Sequence, residues 1–586
     1  LSPISCRLVS DFHQAIIILF SKYFYHITFL KDKFMNINKN VIRKILSSLP
    51  VLLLFIGMAY ISTCPAFVNN YFKLTMDGQI HFARFESVAQ ALRAGKLPPN
   101  VNFIGLGNVG EAFSSTYPWI TALLFIIPRA IMHNPIHAMY IGFLTLNLIT
   151  IINTYLLTRC LTSRKSLQLL GVAIYQLNTY HFTDLYARNA MGESLAYAFI
   201  PLLFMGCYQI WNDQIKGILP LALGMGLVFN SHMITSLFAA IILTLIELYR
   251  MVSGKFSLRE LQRFCFSALL CLPVIAFQII NLIRITLNNH IATTWRGLHP
   301  VYALNALKSA INNNITDYPD QYNIGIVCLS LLVVMFILSF KKEFQNGAPY
   351  IYGAIIILIM TLNWITPSKN ISKSIVGNLQ FTGRLLSFVV ILTVIGSLLI
   401  LDSMYERINA VTITTIATCL LAVLAYNGIV NYHDTKNDSP IRFYVNKKNF
   451  AKTVYKTSCG WGDYSIINDK KKTILKSVLR DDVNFNIKKV SYNGITFCTN
   501  LESRNSKIEV PFLMYKSVPY KITVNGHNID VKTGSTLKLN LKRHENTISI
   551  HSDAPKMNYI TFSISIISII LMPVAMTFYI YKSKQN

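Results

Sequence analysis

Asp77 and His81 stand four residues apart in the stretch Met76-Asp77-Gly78-Gln79-Ile80-His81-Phe82-Ala83-Arg84. On a helix that spacing puts both side chains on one face. Acidic residues are scarce, 26 among 586, so a carboxylate just beyond a strongly apolar segment stands out. Such a group can take the proton of an attacking hydroxyl as general base. The plain alternative is a helix N-cap for the amphipathic stretch that follows. Asp77 and His81 also supply two of the ligands a divalent cation such as Mg or Mn needs, and two ligands do not make a site. His81 has two other readings, a substrate-positioning hydrogen bond and an ordinary interfacial histidine. Arg84 and Glu86 read as a solvated helix face.

Further candidates lie downstream. Asp184, Arg188 and Glu193 follow an apolar run. A guanidinium there matches the oxygens of a phosphate, or it pairs with Asp184 or Glu193 at the membrane interface. His232 follows a short apolar run, and short or broken spans often border a cavity. Its alternative is a satisfied helix-end histidine. Arg384 opens a later run, either to bind a lipid phosphate or to snorkel to the headgroups. Tyr117 and Trp119 read as interface anchors.

The elements that position these residues are membrane helices. The chain is 53% hydrophobic and 14% charged, where a soluble protein carries roughly 25% charged residues. Its mean hydropathy is +0.43. Apolar runs of about 17–25 residues recur, each long enough to cross a bilayer, and they lack the alternation of outer-membrane strands. The fold class is a polytopic α-helical membrane protein of about 12 spans. They fall near 45–64, 136–158, 166–180, 194–211, 217–230, 233–249, 264–283, 322–340, 350–366, 385–401, 409–427 and 558–581. Basic clusters flank alternate ends of these runs, which places both termini inside. The loop 65–135 with Asp77 is then outside. Segment 117–132 is expected to lie in the interface rather than span. The net charge of +28 follows from these loop clusters, so no nucleic-acid partner is expected.

Four parts result. Residues 1–44 form a cytoplasmic or interfacial segment, whose first 34 residues read as an upstream extension, a mis-placed start or an interfacial helix. Residues 45–431 form the transmembrane module. Residues 432–556 form a small external β-rich domain, with Asn525-Gly526 as a hairpin turn. Residues 557–586 form a last helix and basic tail. The external lysines read as a solvated surface or as a means of holding the domain against an anionic polymer. Ten scattered cysteines show no metal spacing; Cys459 and Cys498 share the external domain and either pair there, if it is extracytoplasmic, or stay free thiols. Nucleotide-binding, serine-hydrolase and zinc-protease motifs are absent from the sequence. No soluble insertion faces inside, so an energy-rich substrate has to come from the membrane.

A first span, an external Asp on an amphipathic helix, then Gly95-Lys96-Leu97-Pro98-Pro99 and Tyr117-Pro118, resembles the integral-membrane glycosyltransferases of the GT-C fold. Within these the chain is similar to the bacterial YfhO-like proteins and to membrane proteins labelled 6-pyruvoyl-tetrahydropterin synthase-related, a label that implies no pterin chemistry. Tyr186 to Glu193, Gln380 to Arg384 and the run from Pro519 to Pro555 carry the rest of the likeness, which covers about 45–581. The resemblance implies a bacterial plasma-membrane enzyme. It would move a sugar from a polyprenyl-phosphate carrier to an envelope glycan or teichoic-type acceptor on the outer face. Asp77 would be the base, and Arg188 and Arg384 would hold the carrier phosphate. Asp184, Glu193 and His232 would orient sugar, acceptor or a metal, and the Gly78-Gln79-Ile80-His81 that follows Asp77 departs from the family pattern, so the resemblance assigns His81 no role. Inversion at the anomeric carbon is expected. Two other classes compete. A flippase for a lipid-linked glycan predicts ionisable residues at mid-span, whereas the charges here cluster at loop ends. A non-catalytic envelope assembly protein predicts that Asp77 and Arg188 are dispensable while 432–556 is not.

Overall fold

The computed structural model describes residues 39–292, 294–364, 369–435, 442–455, 463–467, 485–501 and 505–582. Residues 1–34 and Cys459, and with it any Cys459–Cys498 bond, lie outside the described residues. The Cys498 thiol sits 3.8 Å from Thr547 Oγ1.

The apolar runs form helices. In chain order the main elements begin with α1 (Lys39–Thr63), β1 (Phe72–Thr75), α2 (Gly78–Arg93), α3 (Leu123–Ile131), α4 (Pro135–Leu161), α5 (Lys165–Gln176), α6 (Met191–Trp211), α7 (Ile218–Phe229), α8 (Met233–Val252) and α9 (Leu258–Asn288). They continue with α10 (Ile326–Leu338), α11 (Ala348–Thr361), α12 (Leu386–Ser403) and α13 (Ala410–Asp434). Among the described residues eight helices are long and apolar enough to cross a membrane: Leu49–Asn70, Pro135–Leu161, Met191–Trp211, Met233–Val252, Leu258–Asn288, Thr382–Ser403, Ala410–Asp434 and Lys556–Phe578. The expected count of about twelve also needs α5, α7, α10 and α11, which are shorter. Helix α3 has nine residues, roughly 13 Å at 1.5 Å per residue, too short to span, as expected of segment 117–132.

Burial sorts the helices. The apolar windows of Met191–Trp211 and Thr382–Ser403 are 89% and 83% buried, against 17% for Lys556–Phe578. The first two are therefore the central helices and the last is peripheral. Glu193 lies in the first turn of α6. Arg384 lies in the turn Thr382–Leu385 that leads into α12. Both central helices thus begin at the same place, and the site forms there.

The C-terminal region is β-rich. After β2 (Arg442–Val445) and the short α14 (Phe450–Tyr455) come β3 (Asn486–Ser491), β4 (Gly494–Leu501), β5 (Asn505–Met514), β6 (Tyr520–Val524), β7 (His527–Asn528), β8 (Ser535–Leu541) and β9 (His544–Ser552), then α15 (Lys556–Lys582). One antiparallel sheet has the order β3-β4-β9-β6-β7, and β8 pairs with β5. Buried residues alternate with half-buried ones along β9, the period-2 pattern of a sheet with one dry face. Asn525 and Gly526 both have positive φ, as the two-residue hairpin requires.

This region interlocks with the first long loop. Val101, Phe103, Val109 and Ala112 belong to the same apolar core as the β-strands. Phe103 stacks on Phe512 at 5.4 Å, and the Leu513 N–H donates to the Val109 carbonyl at 2.8 Å. A Cβ at Gly110 would meet the Phe512 ring at 2.3 Å, so only glycine lets the loop approach. Closer to α2, β1 pairs antiparallel with β2, Phe72 opposite Val445.

Candidate active site

The loop before α2 is fastened to the loop before α6. The Thr75 N–H donates to Asn189 Oδ1 at 2.8 Å, and the Asp77 N–H donates to the Arg188 carbonyl at 3.3 Å. A Cβ at Gly78 would stand 2.4 Å from Asn189 Oδ1, which explains a glycine directly after Asp77. Asp77 occupies the N-cap position of α2, yet its side chain makes no capping bond. Among the described residues its carboxylate takes no hydrogen-bond or ion-pair partner. The N-cap reading therefore fails. Burial raises the Asp77 carboxyl above its ordinary range, and the nearby Arg188 and Arg384 only partly offset this, with Glu193 adding to the rise.

Beside it lies a buried ionic network. Arg188 Nη1 is 2.6 Å from Asp184 Oδ1 and 2.6 Å from Glu193 Oε2, and Nη2 donates to Glu193 Oε1 at 2.8 Å. Arg384 Nε is 2.6 Å from Glu193 Oε1, and its Nη1 donates to the Leu379 carbonyl at 3.2 Å. The side chains of Arg188 and Asp184 are 1% and 0% exposed. This is no interfacial ion pair, and Arg384 does not snorkel. The Phe381 ring lies 5.5 Å from the Arg188 guanidinium and 5.4 Å from that of Arg384. Burial lifts the Asp184 carboxyl above its usual range despite the Arg188 contact.

His81, Arg84, Tyr117 and His232 form the other wall. His81 Nδ1 lies 3.0 Å from Arg84 Nη1. A guanidinium can only donate, so His81 Nδ1 accepts and the proton sits on Nε2. Burial, and then Arg84, hold this imidazole well below its ordinary pKa, in keeping with a neutral ring. The Tyr117 ring lies 5.3 Å from His81 and 6.0 Å from His232. His232 Nδ1 is 2.8 Å from Thr235 Oγ1, and burial pushes its imidazole down to about 3.

The structure thus gathers all seven expected residues, Asp77, His81, Asp184, Arg188, Glu193, His232 and Arg384, in one place. It also adds residues that sequence reasoning passed over. Arg84 is 1% exposed and Glu86 1%, so neither is on a solvated face. Glu86 is paired with Arg129 at 2.7 Å. Asp77, His81 and Arg84 have the spacing i, i+4, i+7, a single helical stripe, and that was the available signal. Tyr117 is not a membrane anchor but part of the wall, and Trp119 is 2% exposed against Phe277 and Phe562. Asp463, from the C-terminal segment, accepts from the Trp295 N–H at 3.2 Å. Burial lifts it to about 6, with Asp77 contributing.

Asp184 and Glu193 are engaged by arginines, and the lone pair of His81 Nδ1 faces the Arg84 cation. Among the described residues no group of three or more His, Cys, Asp or Glu is placed to hold a metal.

No family model matches the sequence, and no curated protein matches it. Among solved structures the chain is similar to the arabinofuranosyltransferase AftD from Mycobacteria, with 12% identity and a TM-score of 0.42 over 64% of this chain and 27% of that one. It is also similar to the Archaeoglobus fulgidus oligosaccharyltransferase in its apo form, with 11% identity and a TM-score of 0.41 over 71% of this chain and 61% of that one. The chain covers less than two thirds of the length of either.

Proposed function

We propose that this chain is a membrane glycosyltransferase of GT-C type. It moves a sugar from a polyprenyl-phosphate carrier to an envelope glycan or teichoic-type acceptor on the outer face of a bacterial plasma membrane. The observation that carries the reading is the Asp77 carboxylate. It stands at the start of a buried helix, makes no capping bond and adjoins a fixed array of positive and negative side chains. A carboxylate that takes no hydrogen-bond or ion-pair partner among the described residues, beside arginines and carboxylates that are ion-paired with one another, is suited to accept a proton.

In this reading Asp77 takes the proton of the acceptor hydroxyl as that oxygen attacks the anomeric carbon. The carrier phosphate leaves from the opposite side, giving inversion. Fixed positive charge in a dry site favours that departure. Glu193 holds Arg188 and Arg384 in place, so the field around Asp77 is set before substrate arrives. His232, Asp184 and the neutral His81 orient the sugar and acceptor. Asp463 brings the C-terminal region to the acceptor side.

Purified protein in liposomes carrying polyprenyl-phosphate sugars tests the reading. Sugar transfer by the wild type, lost in Asp77→Asn, is the expected result. Full transfer by Asp77→Asn would remove Asp77 as the base. No transfer by the wild type across donors and acceptors would remove the reaction itself.

A further inference from the structure

Three buried arginines surround the site, and they differ in their counter-charges. Arg188 is held by Asp184 and Glu193, and Arg384 shares Glu193. These four side chains balance, two positive against two negative. Among the described residues Arg84 has no carboxylate partner. It is 1% exposed, and its Nη2 donates to the Tyr117 and Pro118 carbonyls at 3.1 and 2.7 Å. Its Nη1 meets His81 Nδ1. Its Nε is buried and unpartnered among the described residues, as is that of Arg188, so the missing carboxylate is what sets Arg84 apart. Its guanidinium carbon lies 4.6 Å from the Tyr117 ring and 5.1 Å from the Phe113 ring.

The carbonyls and rings around Arg84 solvate its guanidinium without neutralising it, whereas Arg188 and Arg384 are matched by carboxylates. A buried cation in that state is open to a counter-ion. His81 supplies a second donor beside it, because Arg84 fixes the proton on Nε2. The anion these donors fit is a phosphate: tetrahedral, with several oxygens and accepting from both groups. Bulk headgroups do not reach a side chain this buried, so the phosphate has to be delivered by a ligand that enters the site.

Resting on the proposed transfer reaction, we infer that Arg84 and the Nε2–H of His81 form the docking point for the phosphate of the lipid-linked donor. This moves that role from the Arg188–Arg384 pair, whose charges are already matched. In the transfer step the bond from acceptor oxygen to anomeric carbon forms as the bond from anomeric carbon to phosphate oxygen breaks. The electron pair stays on the phosphate, the proton goes to Asp77, and Arg84 meets the added negative charge.

The test is binding rather than turnover. A short-chain polyprenyl phosphate, the matching neutral polyprenol and inorganic phosphate are titrated into detergent-solubilised wild type, Arg84→Gln and Arg84→Lys. The expected result is that wild type prefers the lipid phosphate to the neutral polyprenol, with inorganic phosphate competing weakly. Arg84→Gln should lose about tenfold or more in affinity for the lipid phosphate, with little change for the polyprenol. Arg84→Lys, which keeps the charge but not the fork, should lose about threefold, and it carries the test should the Gln variant not fold. Unchanged lipid-phosphate affinity in the variants, or no preference over the polyprenol in the wild type, would overturn the inference. Arg84-dependent phosphate binding without any sugar transfer would instead leave the inference standing and sink the transferase reading.

Discussion

The network of Asp184, Arg188, Glu193 and Arg384 and the stripe of Asp77, His81 and Arg84 adjoin each other and are built on opposite terms. In the network every charge has an opposite within 2.6 Å. In the stripe, among the described residues, a carboxylate lacks a partner and a guanidinium lacks a counter-ion. Matched buried charges hold position; removing one leaves another exposed to a dry interior. Unmatched buried charges cost stability and are retained where a ligand or a proton completes them. The network therefore works as the frame and the stripe as the reacting face.

That comparison is sharpened most by breaking the frame. Glu193→Gln leaves Arg188 and Arg384 with one carboxylate between them, and about 3–5 kcal/mol of stability should be lost, read as a large fall in Tm. A Tm within a degree or two of wild type would show that the network is not the frame. A smaller effect of opposite sign is expected at Glu111. That residue is fully buried, and among the described residues neither carboxyl oxygen has a partner. Burial pushes its carboxyl up to about 8, against roughly 4.3 in an unfolded chain. The folded state then binds the extra proton between those values, so stability is full below about 4.3 and falls as pH rises through 8. Glu111→Gln removes the ionisation, and above pH 8 its stability should exceed that of wild type by on the order of 2–4 kcal/mol, read as a higher Tm. Parallel melting curves across pH would refute this. The smallest effect is at Asp463. Its charge and that of Asp77 disfavour each other, so Asp463→Asn should move the acid limb of the pH–rate profile to lower pH by less than about one unit. A limb that stays in place would mean that the C-terminal segment does not act on Asp77.

Much of this was legible from the sequence because long apolar runs are a local signal. The run expected at 136–158 is the helix Pro135–Leu161, and that expected at 409–427 falls on Ala410–Asp434, one residue ahead of its start. The seven candidate residues were legible because charges beside spans are rare. What could not be read was depth. Helix α2 looks amphipathic, with Arg84 and Glu86 on a polar side, yet both are buried. The cause is non-local: the Tyr455 hydroxyl donates to Glu86 Oε1 at 2.8 Å from 369 residues away, and β2 pairs with β1 beside it. Likewise the loop 101–112 carries no mark that Phe512 will pack on Gly110. A chain segment that covers a polar face from far along the sequence leaves no periodicity to find.

The most direct measurement of the central claim sets sugar-transfer rate beside Tm for Asp77→Asn and Glu193→Gln in the same preparation. Burial raises the Asp77 carboxyl; stability tied to its proton is present at low pH and lost as pH rises through that raised value. At neutral pH the Asn variant should therefore melt no lower than wild type while losing about 10²–10⁴-fold in transfer. Glu193→Gln should lose both. If Asp77→Asn instead melted well below wild type and kept its transfer rate, Asp77 would belong to the frame and the account would be wrong.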